Sequence, residues 1–382
     1  MKVVILGSTG SIGLQALEEI RRYPERFEVV GLGAGKNVEL LARQAQEFGV
    51  LDLAVAGPEE AARLQKILPN ARVRYGPEGL AGLASLPEAD LVLNAVVGAV
   101  GLFPTLSALR AGKRLALANK ESLVIGGELV MAARRFPDQI IPVDSEHAAL
   151  WQLLSGVNRK EVERLWITAS GGPFRERPPA ELAQVTPKEA LNHPTWRMGP
   201  RITVDSATLV NKAFEVIEAH HLFGMPWEKI GVVLHPESVV HALVEMGDGS
   251  FLAQLAAPDM RLPIRAALTY PERLGPAIPL RLTPLVLHFQ ELPRERYPGF
   301  WTVLSAGKEG GTAPAVANAA DEVLVQAFLA GKIPFTAISE GIAHVLSGHK
   351  NCPVEGLDSI LEADAWARAA AQRFVARYAH PG

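Results

Sequence analysis

A glycine-rich turn between a short apolar strand and a helix constrains the fold of this chain more than any other feature. Residues 3–6 are apolar, residues 7–13 read Gly-Ser-Thr-Gly-Ser-Ile-Gly, and residues 14–22 have helical spacing of apolar side chains. This pattern opens a dinucleotide-binding βαβ unit, in which glycines let the backbone approach a pyrophosphate at the helix N-terminus. The spacing G-x-x-G-x-x-G is less specific than G-x-G-x-x-G. Its place between strand and helix favours nucleotide binding over a purely structural turn, with Ser11 as the expected helix cap.

The end of the second predicted strand indicates which nicotinamide cofactor binds. An NAD site usually places an acidic residue there, against the ribose 2′-hydroxyl, whereas NADP needs a neutral or basic neighbourhood for its extra phosphate. Residues 27–32 run into Gly33-Ala34-Gly35-Lys36-Asn37, a turn with no carboxylate and one lysine. NADPH is therefore the expected cofactor, although Lys36 taken alone is an ordinary exposed lysine.

Alternating strands and helices continue through the first 145 residues. Further strands are predicted at 51–55, 89–97, 114–117 and 140–143, with a helix at 102–110. The economical fold is a doubly wound, Rossmann-like parallel sheet with ligands beyond the carboxyl ends of its strands. At that edge, Asn119, Lys120 and Glu121 place an amide, an ammonium and a carboxylate where nicotinamide or substrate would lie. Glu121 also suits the start of a helix.

Two carboxylates stand one residue apart where the strand 140–143 ends. If the strand alternation continues, Asp144 and Glu146 point to the same side and can both reach one hard cation with oxygen ligands. The competing interpretation is a solvated loop that caps a helix beginning near His147, since Asp and Ser both suit an N-cap.

The middle of the chain changes character after a strand-like segment, 166–170. The following Ser170-Gly171-Gly172-Pro173 can bind an anion through a hydroxyl and backbone N–H groups. Residues 174–200 are rich in Pro, Arg and Glu and carry His193, Trp196 and Met198, which indicates a lid that covers a ligand. A surface loop pinned by one buried Trp is the alternative.

A polar helix follows this segment. Residues 203–206 are predicted as a strand or turn with a cap at Asp205 or Ser206, and the helix then continues to about Leu222. Asn211 and Glu215 are spaced i, i+4 and Lys212 lies three before Glu215, so these groups share one face. They suit a phosphate plus a metal; a surface ion pair is the simpler explanation of Lys212 and Glu215 alone.

Composition limits the function classes. The chain has 382 residues, a formal charge of −3 and one cysteine, Cys352. No nucleic-acid partner, disulfide, signal segment or membrane helix is expected, so the expected compartment is the cytoplasm.

His220-His221 is expected to be a solvated pair near a helix end. Residues from about 300 onward are predicted to form a helical bundle after a Pro- and Arg-rich stretch.

Taken together, many ordered motifs resemble the 1-deoxy-D-xylulose 5-phosphate reductoisomerase family, and the resemblance spans nearly the whole chain. The matching segments are 7–13, 34–37, 118–122, 142–147, 170–174, 193–199, 204–212, 235–236 and 258–261. The resemblance implies NADPH- and divalent-metal-dependent conversion of a phosphorylated sugar, 1-deoxy-D-xylulose 5-phosphate, to 2-C-methyl-D-erythritol 4-phosphate in non-mevalonate isoprenoid synthesis. It also implies a homodimer formed through the middle domain.

The same resemblance implies residue roles. Metal ligands are Asp144, Glu146 and Glu215, for Mg²⁺ or Mn²⁺, with Co²⁺ as a third option. Substrate phosphate contacts are Ser170, Ser206, Asn211 and Lys212, and further substrate contacts are Lys120, Ser145, Glu146, His193 and Glu215. Cofactor contacts are Gly7, Thr9, Gly10, Ser11, Ile12, Gly35, Lys36, Asn37, Asn119, Glu121 and Gly199. Trp196 and Met198 match a mobile flap.

Domain boundaries follow from these assignments. The predicted order is a cofactor domain at 1–145, a central α/β (α+β) catalytic and dimerisation domain at 146–270 with a flap at about 171–200, a linker at 271–299 and a helical domain at 300–382. The sequence leaves open whether the carbon skeleton rearranges by a retro-aldol or a ketol-shift route. By residue type, Lys120, Glu146 and His193 are the candidate acid and base.

Two other functions stay open at this point. A simple NADP-dependent dehydrogenase of related fold would not need three metal carboxylates, and an aspartate-semialdehyde type would need a cysteine in the middle of the chain. A non-catalytic NADPH sensor would have no reason to keep these carboxylates beside four phosphate ligands.

Overall fold

The computed structural model describes residues 1–196 and 198–379. Arg197 of the predicted flap and residues 380–382 of the predicted helical domain lie outside the described residues. The chain divides into two compact units. The first unit contains residues 1–122, 128–151 and 259–278, and the second contains residues 123–127, 152–258 and the chain from 279 onward. The predicted four-part boundaries stay a prediction. Residues 259–278, which that prediction divides between the central domain and the linker, pack with the first unit.

Eleven strands form two sheets in the described part of the chain. The strands are β1 Lys2–Leu6, β2 Glu28–Gly33, β3 Asp52–Val55, β4 Arg72–Tyr75, β5 Leu91–Asn94, β6 Arg114–Leu117, β7 Ile140–Pro142, β8 Val162–Ala169, β9 Ile230–Leu234, β10 Val240–Met246 and β11 Phe251–Leu255.

Helices connect and cover these strands. They are α1 Ser11–Arg22, α2 Val38–Phe48, α3 Pro58–Ile67, α4 Gly76–Ala84, α5 Leu102–Arg110, α6 Glu121–Ala133, α7 Ser145–Leu154, α8 Pro187–Ala190, α9 Pro200–Thr208, α10 Val210–Phe223, α11 Arg261–Thr269, α12 Pro298–Glu309, α13 Ala313–Leu329, α14 Thr336–Ser347 and α15 Leu357–Ala379. None of the helices within the two described stretches is long and apolar enough to cross a membrane.

The first unit is built on a seven-stranded parallel sheet of order β4-β3-β2-β1-β5-β6-β7. The strand order reverses between β1 and β5, and in sheets of this kind ligands bind beyond the carboxyl ends of the strands at that point. The predicted Rossmann-like sheet is therefore confirmed. Strand β4 was not predicted, because its sequence Arg-Val-Arg-Tyr has no apolar run and it forms a half-exposed edge.

Helix α11 completes the core of the first unit although it comes late in the sequence. Ile264, Ala267 and Leu268 are buried in the same cluster as the apolar residues of β1 and α1. The side chain of Arg265 donates to Glu19 at 2.7 Å in a nearly fully buried ion pair. Because a buried charge is costly unless it is paired, this contact fixes α11 against α1.

The second unit has a mixed four-stranded sheet of order β11-β10-β8-β9, in which β8 and β9 run parallel and the other pairs run antiparallel. Helices α12 to α15 pack on one another, with the buried residues of α13 at the centre, and α12 also packs on α10. The predicted α+β region and helical bundle are both present.

Three local predictions were wrong. Residues 203–206 are neither strand nor turn: α9 starts at Pro200, which suits the first helical position, and includes Asp205 and Ser206. The break comes instead at Leu209, whose φ of 58° separates α9 from α10. Ser11 does not cap α1, since Gly10 is the cap residue and no side chain caps this helix.

The third error concerns His220 and His221. Both residues are half-buried rather than free in solvent: His220 stacks on Trp227 at 3.8 Å between ring centroids, and a Cβ on Gly127 would lie 2.3 Å from the His221 ring. Burial, with a smaller effect from neighbouring His220, lowers the pKa of His221 to about 4. The glycine at 127 makes room for a neutral imidazole.

Candidate active site

The turn between β1 and α1 has the shape of an anion cradle. Gly7 has a φ of 82°, and a Cβ there would lie 2.5 Å from the carbonyl oxygen of Ala95, at the end of β5. A Cβ on Gly13 would lie 2.2 Å from the Gly7 carbonyl oxygen. At both positions glycine lets the turn pack closely on neighbouring backbone. The turn leads into an α1 N-terminus that has no side-chain cap and no acidic residue in its first turn, which suits a pyrophosphate. Thr9, Gly10 and Ser11 are half-buried or exposed here, whereas Ile12 packs against the core.

The turn after β2 has the features expected of an NADP site. Gly35 has open space around its Cα, and Lys36 is exposed. The Asn37 side chain caps α2 by accepting from the Leu40 amide at 3.2 Å. No carboxylate stands in this turn, so nothing there repels a 2′-phosphate.

Asn119 holds the loops at the carboxyl edge of the first sheet together. Its amide donates to the carbonyl oxygens of Val96 and Gly98 at 2.7 and 2.9 Å, and its carbonyl oxygen accepts from the Ser122 amide at 3.0 Å. It also donates to Glu121 at 3.1 Å. The structure therefore gives Asn119 a role in shaping the loop, whereas its cofactor contact stays a prediction.

Lys120 and Asp144 meet because their strands are neighbours. Parallel strands β6 and β7 end at Leu117 and Pro142, so the two side chains follow adjacent carboxyl ends. Lys120 Nζ lies 2.6 Å from Asp144 Oδ2, and both side chains are largely buried. Next to them, the Ser145 hydroxyl donates to Glu146 Oε2 at 2.8 Å. The predicted pair of carboxylates thus lies beside an ammonium group in the first unit.

In the second unit, Ser170, His193 and Ser206 form a group that we call the anion cluster. Ser170 directly follows β8, Ser206 lies on α9, and His193 Nε2 is 3.2 and 3.1 Å from their respective hydroxyl oxygens. His193 Nδ1 accepts from the amides of Thr195 and Trp196 at 3.1 and 2.9 Å. Because Nδ1 is an acceptor, the ring proton is on Nε2 and is donated towards the two serines.

His193 is neutral. Burial, with a smaller contribution from the positive charge of Lys212, lowers its pKa to about 4. The anion cluster therefore offers hydroxyl and imidazole N–H donors beside a lysine and carries no charge of its own. Such a group of donors suits a phosphate.

The polar face of α10 was predicted correctly, but it is not on the surface. The Asn211 amide donates to Glu215 Oε1 at 2.7 Å, and Lys212 Nζ forms an ion pair with Glu215 Oε2. Lys212 and Glu215 are both buried. The explanation as an exposed ion pair is therefore wrong, and a buried carboxylate held by an amide and an ammonium is the kind of group found at binding sites.

The predicted flap has more regular structure than its sequence suggested. It contains a 3₁₀ turn at Pro179–Gln184 and the short helix α8, which begins with a capping box between Thr186 and Glu189. Trp196 and Met198 are half-buried, and the Trp196 ring lies edge-on to His241 at 6.1 Å between centroids. Gly199 is the exposed cap residue of α9.

Sequence reasoning missed Arg201. Its guanidinium donates to Asn318 at 2.8 Å and to Asp321 and Glu322 at 3.0 Å each, so it ties α9 to α13. An arginine one residue after a helix-starting proline is a weak signal, and its partners lie more than a hundred residues away. These contacts give Asn318, Asp321 and Glu322 a structural role in the second unit.

A dinucleotide cradle in one unit and phosphate-type donors in the other define an NADPH-dependent oxidoreductase for an anionic substrate. Three family models match the chain: 1-deoxy-D-xylulose 5-phosphate reductoisomerase over residues 3–127, its C-terminal domain over 140–223, and the DXP reductoisomerase C-terminal domain over 255–370. The chain belongs to the 1-deoxy-D-xylulose 5-phosphate reductoisomerase family. This confirms the resemblance found in the motifs.

Relatives with that name match over nearly their full length. The chain is 49% identical to the one from Thermodesulfovibrio yellowstonii (97% of this chain, 98% of the relative) and 51% identical to that from Pelotomaculum thermopropionicum (96% of each). A crystal structure of DOX-P reductoisomerase with NADPH, fosmidomycin and magnesium has a TM-score of 0.92 and 39% identity, covering 99% of this chain and 98% of that one. The Zymomonas mobilis enzyme with NADPH has a TM-score of 0.89 and 40% identity, covering 98% of each chain.

Proposed function

We infer that this chain catalyses the isomerisation and reduction of 1-deoxy-D-xylulose 5-phosphate to 2-C-methyl-D-erythritol 4-phosphate, with NADPH and a divalent metal ion. The observation that carries this function, within a chain of this family, is the anion cluster. A dinucleotide-binding domain fits many reductases, whereas two hydroxyls and a neutral imidazole donor beside a lysine fit a phosphorylated substrate.

NADPH is proposed to bind at the carboxyl edge of the first sheet. The cradle at Gly7 and the uncapped start of α1 fit the pyrophosphate, and Lys36 fits the 2′-phosphate. The proposed contacts are Gly7, Thr9, Gly10, Ser11, Ile12, Gly35, Lys36, Asn37, Asn119, Glu121 and Gly199.

The metal is proposed to be held by Asp144, Glu146 and Glu215. Carboxylate oxygens are the donors that Mg²⁺ and Mn²⁺ prefer, and each of these side chains already stands beside polar partners within its own unit. When bound, the metal would polarise the ketone and hydroxyl oxygens of the sugar, and NADPH would supply the hydride.

The substrate phosphate is proposed to bind Ser170, Ser206, Asn211 and Lys212. The phosphate group does not react, but its binding supplies free energy that can orient the reacting end of the sugar. His193 adds a neutral N–H donor, while Lys120 and Ser145 are proposed to contact the sugar. Trp196 and Met198 are proposed to close over it and exclude water.

Proton transfer is assigned to the first unit. Lys120 and Glu146 are the candidate acid and base, because both stand beside groups that can exchange or orient a proton. His193 was a third candidate by residue type. With a pKa of about 4 it stays neutral near pH 7, and we assign it to hydrogen-bond donation.

A homodimer through the second sheet is also proposed. Strand β11 is an edge strand, and Phe251, Leu252 and Leu255 are 53%, 39% and 37% exposed. An exposed apolar edge strand is a template for pairing with another chain.

A cytoplasmic location is also proposed, consistent with a single cysteine in the sequence.

The function is tested by following NADPH oxidation by absorbance with 1-deoxy-D-xylulose 5-phosphate, with and without Mg²⁺ or Mn²⁺. Wild type is compared with Glu215→Gln and with Glu228→Gln, a matched change at an exposed glutamate of the same unit. We expect metal-dependent turnover in the wild type and in Glu228→Gln, and none in Glu215→Gln. Bound NADPH without turnover in the wild type would overturn the proposed function.

A further inference from the structure

The turn that follows β8 is held in a conformation that only glycine adopts easily. Gly171 and Gly172 have φ angles of 86° and 72°. A Cβ on Gly172 would lie 2.7 Å from the carbonyl oxygen of Ser206. The turn therefore packs directly on the backbone of α9. The hydrogen bonds made by its carbonyl and N–H groups then help to set the orientation of its peptide groups.

Side chains at the start of α12 hold the carbonyl groups of this segment. The Tyr297 hydroxyl donates to the Gly171 carbonyl oxygen at 3.0 Å in a buried hydrogen bond. Neighbouring Arg296 donates through Nη2 to the carbonyl oxygens of Phe174 and Arg177. Residues more than a hundred positions downstream thus fix the first part of the predicted flap.

The bond from Tyr297 has a consequence on the opposite side of the peptide. In a planar trans peptide the C=O and the following N–H point in opposite directions. With the Gly171 carbonyl directed to Tyr297, the Gly172 N–H is directed away from it, and it reaches Ser170 Oγ at 3.2 Å. That hydroxyl belongs to the anion cluster, so the Gly172 amide is a further donor at the same place.

Packing does not replace this hydrogen bond. A cavity of about 370 Å³ lies beside Tyr297, and Phe174, Leu182 and Phe335 are among the other residues that line it. Because Tyr297 lines this cavity, packed atoms do not surround its ring on every side, and the hydrogen bond from its hydroxyl is what ties it to the Gly171 carbonyl.

We propose that Tyr297 is a positioning residue that directs the Gly172 N–H into the phosphate site through its hydrogen bond to the Gly171 carbonyl. This rests on the proposed function, in which the anion cluster binds the substrate phosphate. Tyr297 touches neither substrate nor cofactor and acts through one peptide group.

The test is Tyr297→Phe in the full chain, with Tyr23→Phe as the matched control. The Tyr23 hydroxyl is buried and has no hydrogen-bond partner within the described residues, so its loss should change nothing at the phosphate site. The Kd of inorganic phosphate is measured by calorimetry without turnover, and KM and kcat are measured with the sugar phosphate.

Tyr297→Phe is expected to raise the phosphate Kd and the sugar phosphate KM by the same factor, roughly threefold to tenfold, the usual effect of one hydrogen bond. The kcat should stay within about twofold and the KM for NADPH should not change, because only uniform binding is lost. Combined with Ser170→Ala, the effect should be less than additive, because both changes act on one donor group.

An unchanged phosphate Kd in Tyr297→Phe, or equal shifts in both tyrosine variants, would overturn the positioning role. Full additivity with Ser170→Ala would also overturn it. If the wild type binds phosphate but does not oxidise NADPH, the proposed function fails, and the phosphate Kd values still decide the role of Tyr297.

Discussion

Lys120 Nζ lies 2.6 Å from Asp144 Oδ2, with both side chains largely buried at the carboxyl ends of two adjacent strands. An ammonium group at this distance compensates the charge of the buried carboxylate and holds its orientation. Binding of the metal would give Asp144 a second positive partner. The pair therefore links the proposed acid–base residue to the proposed metal ligand.

Asp144→Asn is expected to weaken metal binding. It removes a charged ligand, so the Mg²⁺ concentration for half-maximal activity should rise. Changing a group that only supports a metal ligand typically weakens metal binding by roughly tenfold to a hundredfold, and the loss of a ligand itself should exceed that. The measurement is NADPH oxidation against metal concentration. Asp138→Asn, at an exposed aspartate of the same unit, is the control and should match the wild type. An unchanged metal dependence in Asp144→Asn would remove Asp144 from the ligand set.

His193→Phe should raise the KM for the sugar phosphate by roughly tenfold to a hundredfold, the effect of losing a hydrogen bond to a charged group. The shape of the kcat profile between about pH 6 and 8 should not change, because a group whose pKa is about 4 is already neutral there. The measurement is steady-state kinetics across this pH range. His344→Phe, at an exposed histidine of the same unit, should leave both quantities unchanged. Loss of an acidic limb in His193→Phe alone would show that His193 titrates during turnover.

The anion cluster shows how far the sequence could lead. Ser170 was placed correctly after a strand, and His193 was placed in a Pro-rich segment over the ligand. Their contact could not be predicted, because it depends on how the segment from 174 to 200 returns to α9. The error at Asp205 and Ser206 has a related cause: both residues favour helix caps locally, but Pro200 starts the helix earlier and the buried face of α9 extends it.

The periodic elements were easier to predict than their partners. Strands β1, β2, β3, β6 and β7 agree with prediction to within two residues, because buried parallel strands are short apolar runs. Nothing in local sequence shows that α11 packs with α1, since the Arg265–Glu19 pair joins residues 246 positions apart. Residue types and spacing indicated a cation at Asp144 and Glu146 and an anion at Ser170. The complete metal and phosphate sets were assigned through family motifs.

Lys36→Glu should reduce the preference for NADPH. A carboxylate at the end of β2 would repel the 2′-phosphate and accept from a ribose hydroxyl, as in NAD sites. The ratio of kcat/KM for NADPH to that for NADH should fall by roughly tenfold or more, the size expected when a favourable charge contact to phosphate becomes repulsive. Lys66→Glu, at an exposed lysine on α3, should keep the wild-type ratio. Equal ratios in both variants would place the 2′-phosphate elsewhere.

Phe251→Asp should weaken the proposed dimer. A charge on an exposed apolar edge strand is a common device against edge-to-edge pairing. Light scattering after size exclusion should show the wild type at twice the 41.1 kDa chain mass and the variant shifted towards one chain. Phe136→Asp, at an exposed phenylalanine of the first unit, should remain at the wild-type mass. A monomeric wild type, or two variants with equal mass, would contradict pairing through β11.

His221→Phe should make the protein less sensitive to acid. Burial lowers the pKa of His221 from 6.5 to about 4, so between these values the unfolded chain binds more protons than the folded one. The stabilisation is complete above about pH 6.5 and is lost as the pH falls towards 4, by up to about 3 kcal/mol at 1.36 kcal/mol per pKa unit. About 2 kcal/mol of this should be lost by pH 5.

The measurement is the free energy of unfolding of the second unit, followed in urea by tryptophan fluorescence at pH 7 and at pH 5. The phenyl ring fills the space beside Gly127 without titrating, so His221→Phe should show a smaller loss between the two pH values than the wild type. His344→Phe removes an exposed histidine and should lose as much as the wild type. If His221→Phe also loses as much as the wild type, the acid sensitivity comes from other groups, of which His193 is the first to examine because burial lowers its pKa in the same direction.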